Sequence, residues 1–527
     1  MSNPHPQTLI GMADASFAKH ADKLAYTCMK QRLTFGQLDT LTENFAGFLQ
    51  SIPGLEKGDR VAVQLPNLSQ YPVAALGVIR AGMVLVNTNP LYTPRELKHQ
   101  LTDSGAKAVV LLDDLKAAAM EILPETDVST VIMTYGADVM KLGPMADGQA
   151  YAEAADVPRQ VDFMDALARG AGNFTPVSAE PEDLAVLQYT GGTTGVAKGA
   201  MLTNFSITSN VKQFVDLMGP EGLVEGGEVY VAPLPLYHIY SFTLNCMSML
   251  ATGNHNILIP NPRDPDAVVA AMSGEPFTGF NGLTTLFAGL MMHEGFRNLD
   301  FSHLKFTGSG GMALVTEVGR KWRELTGVQI SEGYGMSEAS PVVTFAGFGK
   351  IQDGTVGSAV PDTELRVVSE NGDVMPAGEP GELQVRGPQI MKGYWNRPEA
   401  TAETISADGW LSTGDVATIA EDGYVRIVDR KKDMIIVSGF NVYPKEVEDV
   451  AAQCPGVAMA AAIGVPDEKS GEAVKLFVVR TDEAVTDEDV IAFSRQHLAG
   501  YKVPKIVEFR DALPMTNVGK ILRRELR

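Results

Sequence analysis

The sequence predicts an α/β fold: a large N-terminal α/β domain of several subdomains, one of them β-rich, followed by a small mobile C-terminal α+β domain. Three observations predict it. Short β-rich runs alternate with helical patterns over the first ~400 residues, the signature of layered and largely parallel sheets. Between roughly Gly354 and Val428 the pattern changes to strand–turn–strand units with Asn-Gly or Gly-Pro punctuation. After the charged cluster Asp429–Asp433, the last ~95 residues read as strands and amphipathic helices enough for a domain of their own.

The elements follow in order. Asp59–Leu65 (DRVAVQL), Lys107–Leu112 (KAVVLL), Thr130–Thr134 (TVIMT) and Asp183–Tyr189 (DLAVLQY) are short apolar runs, as strands buried on both faces require. Between them QYPVAALGVIRAG and PRELKHQLTDSG carry apolar residues at helical spacing. TELRVVSENGDV and GELQVRGPQI form the β-rich part. Farther on, MIIVSG, VAMAAAIGV and VKLFVVR read as strands, with PKEVEDVAAQ and DEDVIAFSRQHL as amphipathic helices. A charged junction between a large and a small domain is where a hinge would sit; the plain alternative is an exposed turn with a solvated charge run.

Composition narrows the function. The chain has 527 residues, 45% hydrophobic and 20% charged, enough to bury a large core. Its net charge of −21 argues against general nucleic-acid binding, which needs a basic face, but leaves room for a local basic pocket. Three dispersed cysteines, Cys28, Cys246 and Cys454, make neither a disulfide framework nor a C-x-x-C metal site and fit a reducing compartment. No secretory signal and no bilayer-length apolar run is visible, which points to a cytoplasmic protein, with peripheral contact at the inner face of the membrane left open.

Tyr189-Thr190-Gly191-Gly192-Thr193-Thr194-Gly195-Val196-Ala197-Lys198-Gly199 directly follows a predicted strand. Its glycines let backbone amides turn toward one point, Thr190, Thr193 and Thr194 add hydroxyl donors, and Lys198 adds a cation: a phosphate cradle. It is not a Walker A loop, because Gly199 stands where that motif has its Mg²⁺-binding Ser or Thr. A plain Gly/Thr turn is the alternative for this segment taken singly. The loop resembles the T-[SG]-G-T-T-G-x-[PA]-K-G signature of the adenylate-forming superfamily of acyl-CoA synthetases, luciferases and peptide-synthetase adenylation domains. Gly192 and Ala197 look like the branch of bacterial long-chain fatty-acid–CoA ligases.

The resemblance recurs in order along the chain. Glu332–Glu338 (EGYGMSE) resembles the Y-G-x-T-E motif, which implies Tyr334 and Gly335 against adenine, Ser337 on the α-phosphate and Glu338 holding Mg²⁺. Thr307–Ala313, read as following a strand, resembles the segment lining the acyl pocket (Thr307, Gly308, Ser309) and the adenine edge (Gly310, Gly311). His238 in PLPLYHIY resembles the histidine beside the substrate carboxylate. Asp415 in GWLSTGD and Arg430 in DRKKD resemble the ribose-binding pair, and Lys432 stands at the family's hinge position. Ser438, Gly439 and Phe440 resemble the segment facing the CoA pantetheine. Lys520 in PMTNVGK resembles the lysine that bridges carboxylate and α-phosphate.

The resemblance therefore implies Lys520, Glu338, His238 and Thr194 as catalytic residues. It implies that ATP is held by Thr190, Gly191, Gly192, Thr193, Thr194, Gly195, Lys198, Gly310, Gly311, Tyr334, Gly335, Ser337, Asp415, Arg430 and Lys520. Expected boundaries are 1–428 for the adenylation domain with its β-rich part at about 354–428, 429–433 for the hinge and 434–527 for the C-terminal domain. The implied activity is ATP-, Mg²⁺- and coenzyme A-dependent ligation of a medium- or long-chain fatty acid through an acyl-AMP, by a chain that does not bind nucleic acid and is compatible with a homodimer. Alternatives are a ligase for a short, sulfur-containing or aromatic acid and an adenylating enzyme that loads a carrier protein. An unrelated P-loop ATPase would fit the glycine loop alone, and a non-catalytic nucleotide-binding scaffold would leave Lys520, Glu338 and Asp415 idle.

Overall fold

A computed structural model of the chain describes residues 6–149, 160–190, 196–347, 349–438, 440–467, 469–515 and 521–527. These fall into two compact units. The first takes the described residues up to 363 together with 387–403, and the second takes 364–386 and 404–527.

The first unit is built on two sheets. One has seven strands in the order Gln160–Asp162, Thr130–Thr134, Ala106–Leu112, Arg60–Gln64, Val84–Asn87, Leu184–Thr190, Lys198–Thr203. All its pairings are parallel except the last, where Lys198–Thr203 folds back antiparallel on Leu184–Thr190. Val61, Ala62, Val63, Val109 and Val110 are wholly buried, because helices cover both faces of a parallel sheet and leave no solvent side. Helix Gln70–Arg80 is buried along its entire length, which explains its lack of a polar face. Helix Phe35–Ser51 starts at a capping box in which Thr34 Oγ1 accepts from Gln37 N and Gln37 Oε1 accepts from Thr34 N.

The second sheet has nine strands in the order Ser358–Ala359, Val342–Phe345, Ile330–Gly335, Phe306–Gly310, Gly279–Gly282, Val229–Ala232, His255–Leu258, Leu24–Cys28, Gln31–Thr34. Its middle is parallel and its two edges are antiparallel. Trp322 of helix Thr316–Thr326, wholly buried, packs against Phe280, Phe287 and Phe296 with ring centroids 4.7–5.8 Å apart. Tilted and edge-on aromatic pairs of this kind hold helix and sheet in one relative setting.

The second unit holds an antiparallel sheet of Glu364–Val368, Gly381–Arg386, Leu411–Ile419 and Val425–Arg430. It also holds a five-stranded sheet of Phe440–Val442, Ile435–Val437, Gly471–Arg480 and Val457–Asp467, with Ile506–Phe509 parallel to Gly471–Arg480. Helices Pro444–Ala451 and Asp487–His497 belong to this unit, as the amphipathic patterns predicted. The guanidinium groups of Arg366 and Arg386 both lie over the Trp410 ring, 4.1 and 4.7 Å from its centroid.

Candidate active site

The first unit gathers its candidate groups at the carboxyl ends of its strands, where open α/β sheets bind ligands. Thr190 is the last residue of strand Leu184–Thr190, and Lys198 is the first of the return strand and its register partner. Gly191, Gly192, Thr193, Thr194 and Gly195 lie outside the described residues. The Lys198 ammonium stands 4.7 Å over the ring of Tyr394.

Strands Phe306–Gly310 and Ile330–Gly335 run side by side with Gly310 opposite Gly333. The sequence placed Thr307–Ser309 after a strand; the structure places them inside it. Glycines and hydroxyl residues disguise the segment, and only pairing with two distant strands makes it extended. Strand alternation splits its roles. Thr307 is fully buried and its hydroxyl accepts from the Trp322 indole at 3.2 Å, so this side chain belongs to the core face together with Ser309. Gly308 and Gly310 face the other way, where a Cβ on Gly308 would meet Asn281 Oδ1 at 2.5 Å and one on Gly310 would meet the Tyr240 ring at 3.4 Å. The absence of side chains here lets Asn281 and Tyr240 close on the strand. Gly311, with φ +81°, turns the chain out of the strand.

Tyr334 and Gly335 end the neighbouring strand. A Cβ on Gly335 would lie 2.0 Å from the Pro341 carbonyl, so the chain can fold back here only with glycine. Ser337 opens the short turn Ser337–Ala339, which packs against both Leu184–Thr190 and Lys198–Thr203. That contact brings the Glu338 segment to the strands flanking the glycine loop. Glu338 is not the surface carboxylate that a lone motif match allows: it is 6% exposed. Its carboxylate accepts from Tyr394 Oη at 2.7 Å and its carbonyl from Met391 N at 2.8 Å.

His238 caps the helical segment that begins at Ile239, its Nδ1 accepting from Tyr240 N at 3.3 Å. The loop before it is clamped by Asn67, 1% exposed, whose Nδ2 donates to Ala232 O and Leu234 O at 3.0 and 2.8 Å and whose Oδ1 accepts from Leu236 N at 2.9 Å. After it, Phe242–Ser248 winds as a π-helix, and the Thr243 hydroxyl donates to Ser340 O at 2.8 Å. One wide helical turn thus ties the histidine segment to the Glu338 turn, and π-turns recur at functional sites.

In the second unit Asp415 and Arg430 are register partners on adjacent strands, with Arg430 Nε 3.2 Å from Asp415 Oδ1. Gly414, at φ +71°, bends the strand just ahead of Asp415. The cluster Asp429–Asp433 is not simply a solvated run. Asp429 and Asp433 are buried, while Lys431 and Lys432 point outward. Asp429 accepts from Arg430 N and Lys445 N at 2.7 and 2.6 Å; burial nonetheless raises its carboxyl above the ordinary value. Desolvation, and then the Arg430 charge, lower the Lys432 ammonium. Ser438 adopts φ +52° and the exposed Phe440 stacks on Tyr501 with ring centroids 4.9 Å apart. Gly439 and Lys520 lie outside the described residues.

Among the described residues, no group of three or more His, Cys, Asp or Glu could hold a metal ion. Glu338, a single buried carboxylate, suits Mg²⁺, which takes one or two carboxylates and completes its shell with water and phosphate oxygens. Sequence reasoning missed Asn67 and Tyr394. Asn67 gives no local signal. Tyr394 stands in the aromatic run Gly393-Tyr394-Trp395, whose setting beside strand Lys198–Thr203 comes from a contact far apart in sequence.

Residues 13–395 match the family model of the AMP-binding enzyme, and residues 446–520 match that of the AMP-binding enzyme C-terminal domain. The chain is 48% identical to a long-chain-fatty-acid–CoA ligase of Escherichia coli, over 99% of this chain and 94% of that one. It is 40% identical to the protein of the same name from Bacillus subtilis, with the same coverage. The crystal structure of ATP-bound MatB from Rhodopseudomonas palustris superposes with a TM-score of 0.87 at 31% identity, covering 98% of each chain. The order of motifs, the fold that carries them and the full-length likeness agree, and the chain belongs to the AMP-binding enzyme family of adenylate-forming ligases.

Proposed function

We propose that this chain is an AMP-forming acyl-CoA ligase that activates a medium- or long-chain fatty acid as acyl-AMP, releases pyrophosphate and transfers the acyl group to coenzyme A. The observation that carries the reading is its likeness, along 99% of its length, to ligases named for long-chain fatty acids. In the first half-reaction a carboxylate oxygen attacks the ATP α-phosphorus in line and the bond to pyrophosphate breaks. Two anions approach each other, so positioning and charge stabilisation do most of the work.

In this reading Thr190 and Lys198 flank the phosphate-binding loop, Tyr334 and Gly335 face adenine, Asp415 accepts the ribose hydroxyls, and Lys520 bridges carboxylate and α-phosphate. His238 positions the acid, and the glycine face of strand Phe306–Gly310 borders its chain. Glu338 would hold Mg²⁺, which when bound neutralises phosphate charge. In the second half-reaction the CoA thiol, losing its proton, attacks the acyl carbon and AMP departs. Lys520 must withdraw first, and we assign that change to a turn at Lys432. No helix of the described residues is long and apolar enough to cross a membrane; a cytoplasmic setting is part of this proposal.

The test is AMP and acyl-CoA formation with ATP, Mg²⁺ and CoA across straight-chain acids from propionate to oleate, with a cinnamate and a thioether acid included. Activity rising to a maximum at eight carbons or more supports the reading. A maximum on the cinnamate moves the chain to the aromatic-acid ligases, a direction in which the 36% identity to a feruloyl-CoA synthase of Amycolatopsis also points.

A further inference from the structure

Tyr394 stands between the two charged groups of the candidate nucleotide site, and neither the motifs nor the proposed mechanism uses it. Its hydroxyl donates to Glu338 Oε1 at 2.7 Å, and its ring carries the Lys198 ammonium at 4.7 Å from the centroid. It is 8% exposed and Glu338 is 6% exposed, so their hydrogen bond is shielded from water, where a charge-assisted bond is strongest, while Lys198 is half-buried.

The backbone around it is braced. Residues 392–395 run antiparallel to strand Lys198–Thr203, with Lys392 N donating to Met201 O, Met201 N to Gly393 O and Trp395 N to Gly199 O, all at 2.8–2.9 Å. Tyr394 N donates to Thr401 Oγ1 at 2.9 Å. Just beyond, the Trp395 indole donates to Asp103 O at 3.1 Å and Arg397 pairs with the Asp103 carboxylate at 2.6 Å. The same carboxylate accepts from the hydroxyl of Tyr189, next to the glycine loop, at 2.8 Å. The segment is therefore pinned on both sides to the strand pair from which the loop springs.

We propose that Tyr394 is a positioning residue that sets Glu338 and Lys198 in one arrangement, fixing the carboxylate for Mg²⁺ and the ammonium for the phosphates. The inference rests on the reading of those two residues given above. With one oxygen of Glu338 engaged by the tyrosine, the carboxylate keeps its orientation, and among the described residues no other side chain engages its second oxygen. Loss of the hydroxyl lets the carboxylate rotate; loss of the ring also frees the lysine.

The experiment is ATP binding by full-length protein without acid substrate, measured calorimetrically as a function of Mg²⁺. Tyr394→Phe keeps the ring and is expected to raise the half-saturating Mg²⁺ concentration roughly tenfold, the scale of one charge-assisted hydrogen bond, while ATP binding in EDTA stays at the wild-type level. Tyr394→Leu is expected to weaken binding in EDTA as well. Tyr394→Phe combined with Glu338→Gln should be no worse than Glu338→Gln alone. The inference is overturned if Glu338→Gln raises the Mg²⁺ requirement and Tyr394→Phe does not, or if the two effects simply add. If neither variant moves it, the assignment of Glu338 fails and takes this inference with it.

Discussion

Asn67→Ala separates the scaffold of the site from its chemistry. Asn67 makes three hydrogen bonds to the loop that precedes His238. Truncation does not strand all three partners, because Ala232 O also accepts from Ile259 N at 3.2 Å. Leu234 O and Leu236 N are left behind in a buried setting, at about 1–3 kcal/mol each. The expected loss is about 3 kcal/mol from the first unit. With an m-value near 3 kcal/mol per molar urea, the midpoint should fall by about 1 M. Urea unfolding followed by the fluorescence of Trp322 and Trp395 measures it. Asn67→Asp should be at least as damaging at neutral pH, because it keeps the acceptor for Leu236 N but sets a carboxylate against Leu234 O. Since the released loop carries His238, KM for the fatty acid should rise more than KM for ATP. A midpoint shift under 0.3 M, about a third of the expected shift, together with an unchanged KM for the acid, would refute the clamp.

Lys520→Ala should lower the adenylation rate by about 10²–10³, the scale of one oriented donor at a developing charge, and spare thioester formation from supplied acyl-AMP. Lys432→Pro should do the reverse, leaving pyrophosphate release intact while acyl-CoA formation from acyl-AMP falls; equal losses in both half-reactions would contradict a hinge there. Asp415→Ala should raise KM for ATP about tenfold, as expected for a lost hydrogen-bonded charge, and abolish discrimination against 2′,3′-dideoxy-ATP; retained discrimination would remove Asp415 from the ribose site. His255, buried and hydrogen-bonded to Thr27 Oγ1 at 2.7 Å, has its pKa lowered from 6.5 to about 4, chiefly by desolvation. The unfolded state therefore binds the proton first, and stability should fall by about 3 kcal/mol as pH drops from 6.5 to 4. His255→Gln should flatten the melting temperature over that range, and an unchanged slope would refute it.

The sequence is most legible where local pattern and tertiary setting agree. Strands Arg60–Gln64 and Leu184–Thr190 and helices Gln70–Arg80 and Pro94–Ser104 lie where apolar runs and helical spacing put them. The last of these is also marked by Thr93, Pro94 and Glu96, a capping box with proline in the first turn. Legibility ends where distant segments decide. Strand Phe306–Gly310 contains two glycines and is extended because Gly279–Gly282 and Ile330–Gly335 flank it in register. The N-terminal strand Leu24–Cys28 joins its sheet by pairing in parallel with His255–Leu258, a partner that no local pattern announces. The site divides in the same way. Glu338 and Asp415 stand out as candidates because glycine-bearing motifs surround them, and Arg430 because it stands in the charged run Asp429–Asp433. Asn67 and Tyr394 act through contacts far apart in sequence, and an asparagine and a tyrosine look ordinary until those contacts exist.

The central claim is a reaction, and its products test it most directly. Protein incubated with palmitate, ATP, Mg²⁺ and CoA should release AMP and pyrophosphate in step with palmitoyl-CoA, one for one, and without CoA it should accumulate palmitoyl-AMP on the enzyme. Release of ADP and phosphate, or of no nucleotide product with any acid, would contradict it.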